Sequence, residues 1–394
     1  MRKTVYAAIG AGLLIPILVP TLAVAGTGDG LEVRFCPGKA VRSYLLAPGR
    51  GLQSLLLQNA AVINHRAAPV EITDIDVELL RDGAVVETRH LAGADIARMA
   101  KAGQGVQKSG MLKAVAFQFC GTDMIRDGVT VAGPALAHDQ ALLVMQQPFV
   151  YSGARDTLRL SIHATSAGHE EEASASLPIW AGFAKGSYRF PLKGIWYVGN
   201  SPSFNGAHRW AVPEEFAFDI AKIGGDGLTH RGDGTHMRDY YAYGAEVDAA
   251  ADGRVVRVAD DQPEDASTLR KPGETPEAFM KRVEAGQMGR LVAGGSAVTG
   301  NMVMIDHGNG EYALYAHLKP GSVRVHVGDV VKAGQPIAKL GGSGNSTEPH
   351  LHFQVCDRPD PLMCAGIPVM FTNAETVLGD PPAPLQNGDE VITR

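Results

Sequence analysis

Positive charge is in short supply in this chain of 394 residues: 36 Lys and Arg face 42 Asp and Glu, a net charge of −6. Such a surface gives no electrostatic reason to bind nucleic acid. Cysteine is scarce too, with four residues. Charged residues make up 20% and apolar ones 45%, which excludes the disordered and collagen-like classes. What is abundant is glycine, 47 residues, which favours a turn-rich β architecture over a helical one. The length suffices for two or three domains with substantial cores.

The N-terminus reads "MRKTVYAAIGAGLLIPILVPTLAVAG". Arg2 and Lys3 form a basic region, Val5 to Val19 an apolar one, and Ala23-Val24-Ala25 a small-residue cleavage site, so residues 1–25 are expected to be an export signal. Pro16 and Pro20 disfavour a spanning helix, and no cysteine follows the small residues as a lipid acceptor. Cleavage leaves 34 basic and 42 acidic residues, net −8, and no stable membrane span. The expected location is periplasmic or extracellular, where cysteines pair. Proximity in sequence suggests Cys356 with Cys364 and Cys36 with Cys120, one of three possible connectivities.

Residues 26–185 show short alternating apolar runs such as "AVVETRHL", "AVAFQF", "DTLRLSIHA" and "PVEITDIDVELL", without a dense cluster of catalytic residue types. A β-sandwich-like accessory domain is expected there, with a short helix over 93–103. From residue 186 the character changes, and eight of the thirteen histidines lie from His208 onward. Residues 186–375 read as a mainly antiparallel, strongly bent β domain with polar insertions at 221–242 and 261–299. Gly308-Asn309-Gly310 marks a hairpin turn. "TPEAFMKRVEAG" marks a helix with Thr275 as N-cap and Pro276 at its first position. The Pro- and Gly-rich tail, 376–394, is expected along the surface.

"NSTEPHLHFQV" sets His350 and His352 on one face of a strand, with Leu351 and Phe353 on the other. Two imidazoles side by side suit a metal ligand with a second base beside it. A zinc hydrolase needs three protein ligands and one open position. Upstream, His208 with Asp219, His230 with Asp233, and His236 with Asp239 are all candidates to complete the set.

"YGAEVDAAADGRVVRV", "YALYAHL", "VGDVVKAGQPIAKLG" and "GNSTEPHLHFQV" occur in this order, and together they resemble the lysostaphin-type family of zinc-dependent peptidoglycan endopeptidases over roughly residues 205–357. The resemblance implies metal ligands from an early His and Asp and from the second His of H-x-H, hence His352. For the early pair, "HRWAVPEEFAFDI" resembles a variant with wider spacing, giving His208 and Asp219. It also implies two histidines that handle protons and charge without binding metal: His317 in "YAHL" and His350. His230 and His236 are then expected as solvated loop residues, and His307 and His326 as structural. Tyr315 is expected to share a face with His317, and Asn345, Ser346 and Thr347 to line the cleft.

The implied function is a zinc metalloendopeptidase acting on stem peptides or cross-bridges of bacterial peptidoglycan. A regulator of the same fold that activates another wall hydrolase is the alternative. "VHVGDVVKAGQPIAKLG" also resembles the half-barrel of biotinyl and lipoyl carriers. No Met-Lys-Met is present, however, and Lys319 is a poor substitute for the carrier lysine.

Overall fold

The computed structural model describes residues 30–36, 38–114, 130–377 and 384–393. The expected export signal and Cys120 lie outside the described residues. The fold is mainly β, with two large sheets.

The first sheet runs in the order Leu31–Cys36, Leu52–Asn64, Val41–Ala47, His169–Ala181, Thr157–Ser166, Val70–Arg81 and Ala84–Ala92, with Ala141–Ser152 added to Leu52–Asn64. All of these pairs are antiparallel except Val41–Ala47 with His169–Ala181. Leu55, Leu57 and Val62 from one part of the sheet share a core with Ile75, Val77, Leu79, Leu158 and Leu160 from the other. The two parts therefore face each other as in a sandwich. Complete burial of each such side chain contributes about 1.5–3 kcal/mol. In Val70–Arg81, Ile72 and Ile75 both point inward although they are an odd number of residues apart. A register shift between Ile72 and Asp74 supplies the extra residue that makes this possible. The helix Ala94–Lys108 covers the predicted segment and continues past it, burying Ile96, Met99 and Ala100.

The second sheet runs Val330–Val331, Gly253–Ala259, Asn301–Asp306, Tyr312–Leu318, Leu351–Cys356, Phe218–Ala221, Gly194–Asn200, Glu390–Thr393 and Ala374–Thr376. Gly308, Asn309 and Gly310 all have positive φ (77°, 57° and 74°) in the turn between two of these strands, a conformation glycine and asparagine adopt most readily. The inserted helix spans Pro276–Ala293, and Thr275 Oγ1 accepts from the amide of Ala278 at 3.2 Å. The disulfide Cys356–Cys364 closes the loop after Leu351–Cys356.

The C-terminal tail departs from expectation. Glu390–Thr393 is an inner strand of the second sheet, and Val391 and Leu385 are buried in its core. The alternation in "EVIT" directs Val391 inward, which outweighs the Pro-rich composition of the preceding segment.

The first sheet also touches the second half of the chain. Ser54 and Gln58, on Leu52–Asn64, grip the buried Arg209. Its guanidinium donates to Ser54 Oγ at 2.9 Å, and its carbonyl accepts from Gln58 Nε2 at 2.6 Å. Tyr44 donates to the Leu385 carbonyl at 2.9 Å. The residue next to His208 is thereby anchored from outside its own sheet.

Candidate metal centre

Three adjacent strands build the site. Leu351–Cys356 pairs on one side with Phe218–Ala221, so that Asp219 lies opposite His352, and on the other with Tyr312–Leu318, where Ala316 lies opposite His352. Directly opposed residues project from the same face. Leu351 and Phe353 point the other way into the core, as the parity of "HLHF" requires. Asp219 thus sits mid-strand and is held by register on the neighbouring chain segment.

His208 arrives from a 3₁₀ turn, Ala207–Trp210, whose first amide donates to Asn200 Oδ1 at 2.9 Å. Its Nε2 lies 2.8 Å from Asp219 Oδ2, and His352 Nδ1 lies 3.1 Å from Asp219 Oδ1. Ligand atoms of His208, Asp219 and His352 all lie within 4.8 Å of one another. The outward nitrogens of both histidines are also engaged: His208 Nδ1 meets Glu214 at 3.0 Å, and His352 Nε2 donates to Gln354 Oε1 at 2.8 Å. Gln354 in turn donates to Cys356 Sγ at 3.0 Å. Such partners set the tautomer that leaves the inner nitrogen free to coordinate.

Two imidazole nitrogens, each oriented from behind, and a carboxylate oxygen match the donor set that zinc prefers. The electrostatics agree. Burial pulls His208 down, but the carboxylates of Asp219 and Glu214 override it and hold the imidazole well above its ordinary pKa. Asp219 is held well below the usual carboxylate range despite burial, by His208 and His350. Glu214 is lowered to about 2 against its burial, chiefly by His208. The pocket attracts positive charge, as protons on the imidazoles or as a divalent ion.

His317 and His350 stand beside this group. Their rings lie 4.8 Å apart, and His317 is 5.8 Å from the His352 ring. His350 precedes the strand; its Nδ1 donates to the Glu348 carbonyl at 2.7 Å and its Nε2 lies 3.3 Å from Asp219 Oδ1. Burial would lower its pKa, but Asp219 raises it on balance. His317 is opposite in character: burial, then His350 and His352, push it well below the usual histidine range. Its Nδ1 donates to the Ser343 carbonyl at 2.9 Å, which leaves Nε2 as an acceptor.

His317 also has φ of +61°, in the left-handed region that costs a non-glycine residue energy. The pairing with Asn301–Asp306 shifts register just before it, so the strand bulges at the histidine. This corrects the expected parity of Tyr315, which packs in the core against Phe353 and accepts from the Ala250 amide at 2.6 Å, whereas Leu314, Ala316 and His317 line the cleft. The bulge turns His317 out of the alternation.

The cleft, about 100 Å³, is lined by all five predicted site residues, by Asn345 and Thr347, and by Glu214 and Gln354. Ser346 reaches His350 Nδ1 at 3.3 Å. Of the two partners missed by sequence reasoning, Gln354 had a signal, since it stands two residues after His352 on the same face. Glu214 had none, because its approach depends on the turn that carries His208. Asp233, His236 and Asp239 form a separate exposed group. His230 is buried rather than solvated, with its ring 5.4 Å from Tyr240. His326 is exposed, and His307 is held on the Asp252 carbonyl at 2.8 Å.

A model of Peptidase family M23 matches residues 274–363, which include His317, His350 and His352 but neither His208 nor Asp219. The chain is 43% identical over 56 residues to "Murein hydrolase activator EnvC" of Escherichia coli, covering 14% of this chain and 13% of that protein. It is 40% identical over 72 residues to "Peptidoglycan DD-endopeptidase ShyB" of Vibrio cholerae, covering 18% and 16%. It is 32% identical over 96 residues to "Cell division protein DipM" of Caulobacter vibrioides, covering 24% and 14%. The chain thus spans about one sixth or less of the length of these relatives. Residues 274–363, which carry His317, His350 and His352 on a mainly β fold, are thus similar to a domain of peptidase family M23.

Proposed function

We propose that this chain is an exported zinc-dependent endopeptidase that hydrolyses peptide cross-links of bacterial peptidoglycan. The observation that carries the reading is the convergence of His208, Asp219 and His352, with both imidazoles oriented from behind, beside two further buried histidines. His208, Asp219 and His352 would hold a divalent ion, which when bound would supply Lewis acidity for a scissile carbonyl and for water near neutral pH. His317, with Nδ1 committed to the Ser343 carbonyl, presents Nε2 to the cleft as an acceptor that can orient water. His350, with its proton retained by Asp219, is suited to donate one or to stabilise negative charge on a substrate oxygen. Asn345 and Thr347 line the path along which a peptide would lie. Location outside the inner membrane is supported by the signal-like residues 1–25 and by the wall-directed names of the relatives. No helix among the described residues is long and apolar enough to cross a membrane.

The test is mass spectrometry of muropeptides released from purified sacculi. Release that stops with a chelator and returns with zinc is expected. Undiminished release after complete metal removal would contradict the proposal. The relative named as an activator favours a second reading, a domain that regulates another hydrolase without turnover. Stoichiometric zinc together with release of muropeptides by the isolated protein separates the two.

Glu214 acts on this site through His208. Glu214→Ala is expected to weaken zinc binding about 10–100-fold, read by competition with a chromophoric chelator. Glu214→Gln, which can still accept from Nδ1, is expected to weaken it less.

A further inference from the structure

Beside the cleft, and sharing Gln287, Asn345 and Thr347 with it, lies a second cavity of about 280 Å³. One wall is the inserted helix, through Arg282, Val283, Gly286, Gln287 and Arg290, and the opposite wall is the loop Asn345, Ser346 and Thr347 that leads to His350. Ser267, Thr268 and Lys271 complete the lining. Its charge is one-sided: Lys271, Arg282 and Arg290 line it, and no Asp or Glu does. Arg282 pairs with Glu274 at 2.7 Å and Arg290 with Asp265 at 3.1 Å, and neither acid belongs to the lining. Lys271 also lies close enough to Glu274 to stabilise its carboxylate, but its side chain lines the cavity and is not committed to a short ion pair among the described residues. Three cationic side chains and no acidic one line this cavity, and it shares residues with the cleft that holds the histidines, so its lining suits an anionic occupant.

We propose that this cavity is a subsite for a free carboxylate of the peptide substrate, with Lys271 as its main counter-charge and the hydroxyl of Thr347 as an additional donor. The proposal rests on the peptidase reading for the identity of the ligand, a peptide. Continuity with the cleft through Asn345 and Thr347 means that a peptide lying along the histidines can place a neighbouring carboxylate there without leaving the groove. A charge-assisted hydrogen bond in such a partly enclosed site distinguishes a carboxylate from an amide of the same shape. The subsite would thus read the charge state of the residue flanking the scissile bond, a specificity that the metal ligands themselves cannot supply.

The test is calorimetric binding of a synthetic stem tetrapeptide and of its carboxamide twin to the full mature chain. Wild type is expected to bind the carboxylate form about tenfold more tightly. Lys271→Ala should reduce that ratio, Lys271→Glu should abolish or invert it, and the zinc content of both variants should stay at the wild-type level. Equal affinities in wild type, or a preference that survives Lys271→Glu, would overturn the subsite. Failure of the peptidase reading is seen separately, as sacculi left undigested by a protein that still discriminates between the two peptides.

Discussion

His352→Ala is expected to lose both stoichiometric zinc and muropeptide release. The imidazole provides one of three ligand atoms, and strand register holds it opposite Asp219. Without it only His208 and Asp219 of the converging group remain, and a two-ligand site does not hold zinc tightly. Lewis-acid stabilisation amounts to several kcal/mol, so the rate should fall by about 10³-fold or more. The fold should survive: His352 faces the cleft, and the core beneath it is made by Leu351 and Phe353. Metal analysis and sacculus digestion on the same preparation, with circular dichroism as the control for folding, check the result.

His350→Ala and His317→Ala should separate metal binding from turnover. Neither residue belongs to the group whose ligand atoms converge, so both variants should keep about one zinc per chain. Loss of a positioned acid or base costs about 10²–10⁴-fold, and the loss should appear in kcat. The backbone at residue 317 has positive φ, so His317→Ala keeps the strain while removing the imidazole. A loss of stability in that variant would come from the vacated hydrogen bond to the Ser343 carbonyl. Zinc content, kcat and KM measured together check both. Zinc lost from His350→Ala would mean that the ion sits closer to the Nε2 atom that faces Asp219 than to His352.

The contrast between these variants reflects what could be read from the chain alone. His350 and His352 were legible because strand parity is a local property, and the core-facing Leu351 and Phe353 obey it. The capped start of the inserted helix and the Gly308-Asn309-Gly310 turn were legible for the same reason, since caps and tight turns are determined by a few adjacent residues. His208 and Asp219 could be paired only through a motif resemblance, because what brings them together is the cross-strand register of Asp219 with His352 and a turn anchored by Asn200.

Non-local facts were lost to sequence reasoning. "YALYAHL" alternates without interruption, so nothing announces the bulge that turns His317 into the cleft and leaves Tyr315 in the core. The tail's composition concealed a strand that pairs on one side with Ala374–Thr376 and on the other with Gly194–Asn200, which is distant in sequence. The grip of Ser54 and Gln58 on Arg209 joins residues about 150 positions apart, and no local pattern records it.

The central claim is that one divalent ion is shared by His208, Asp219 and His352. Zinc-edge anomalous diffraction from crystals of the protein tests it most directly. The account predicts one strong peak bonded to His208 Nε2, His352 Nδ1 and a carboxylate oxygen of Asp219. A peak at Asp233, His236 and Asp239 instead, or no peak in zinc-soaked crystals in which those three side chains are well ordered, would contradict it.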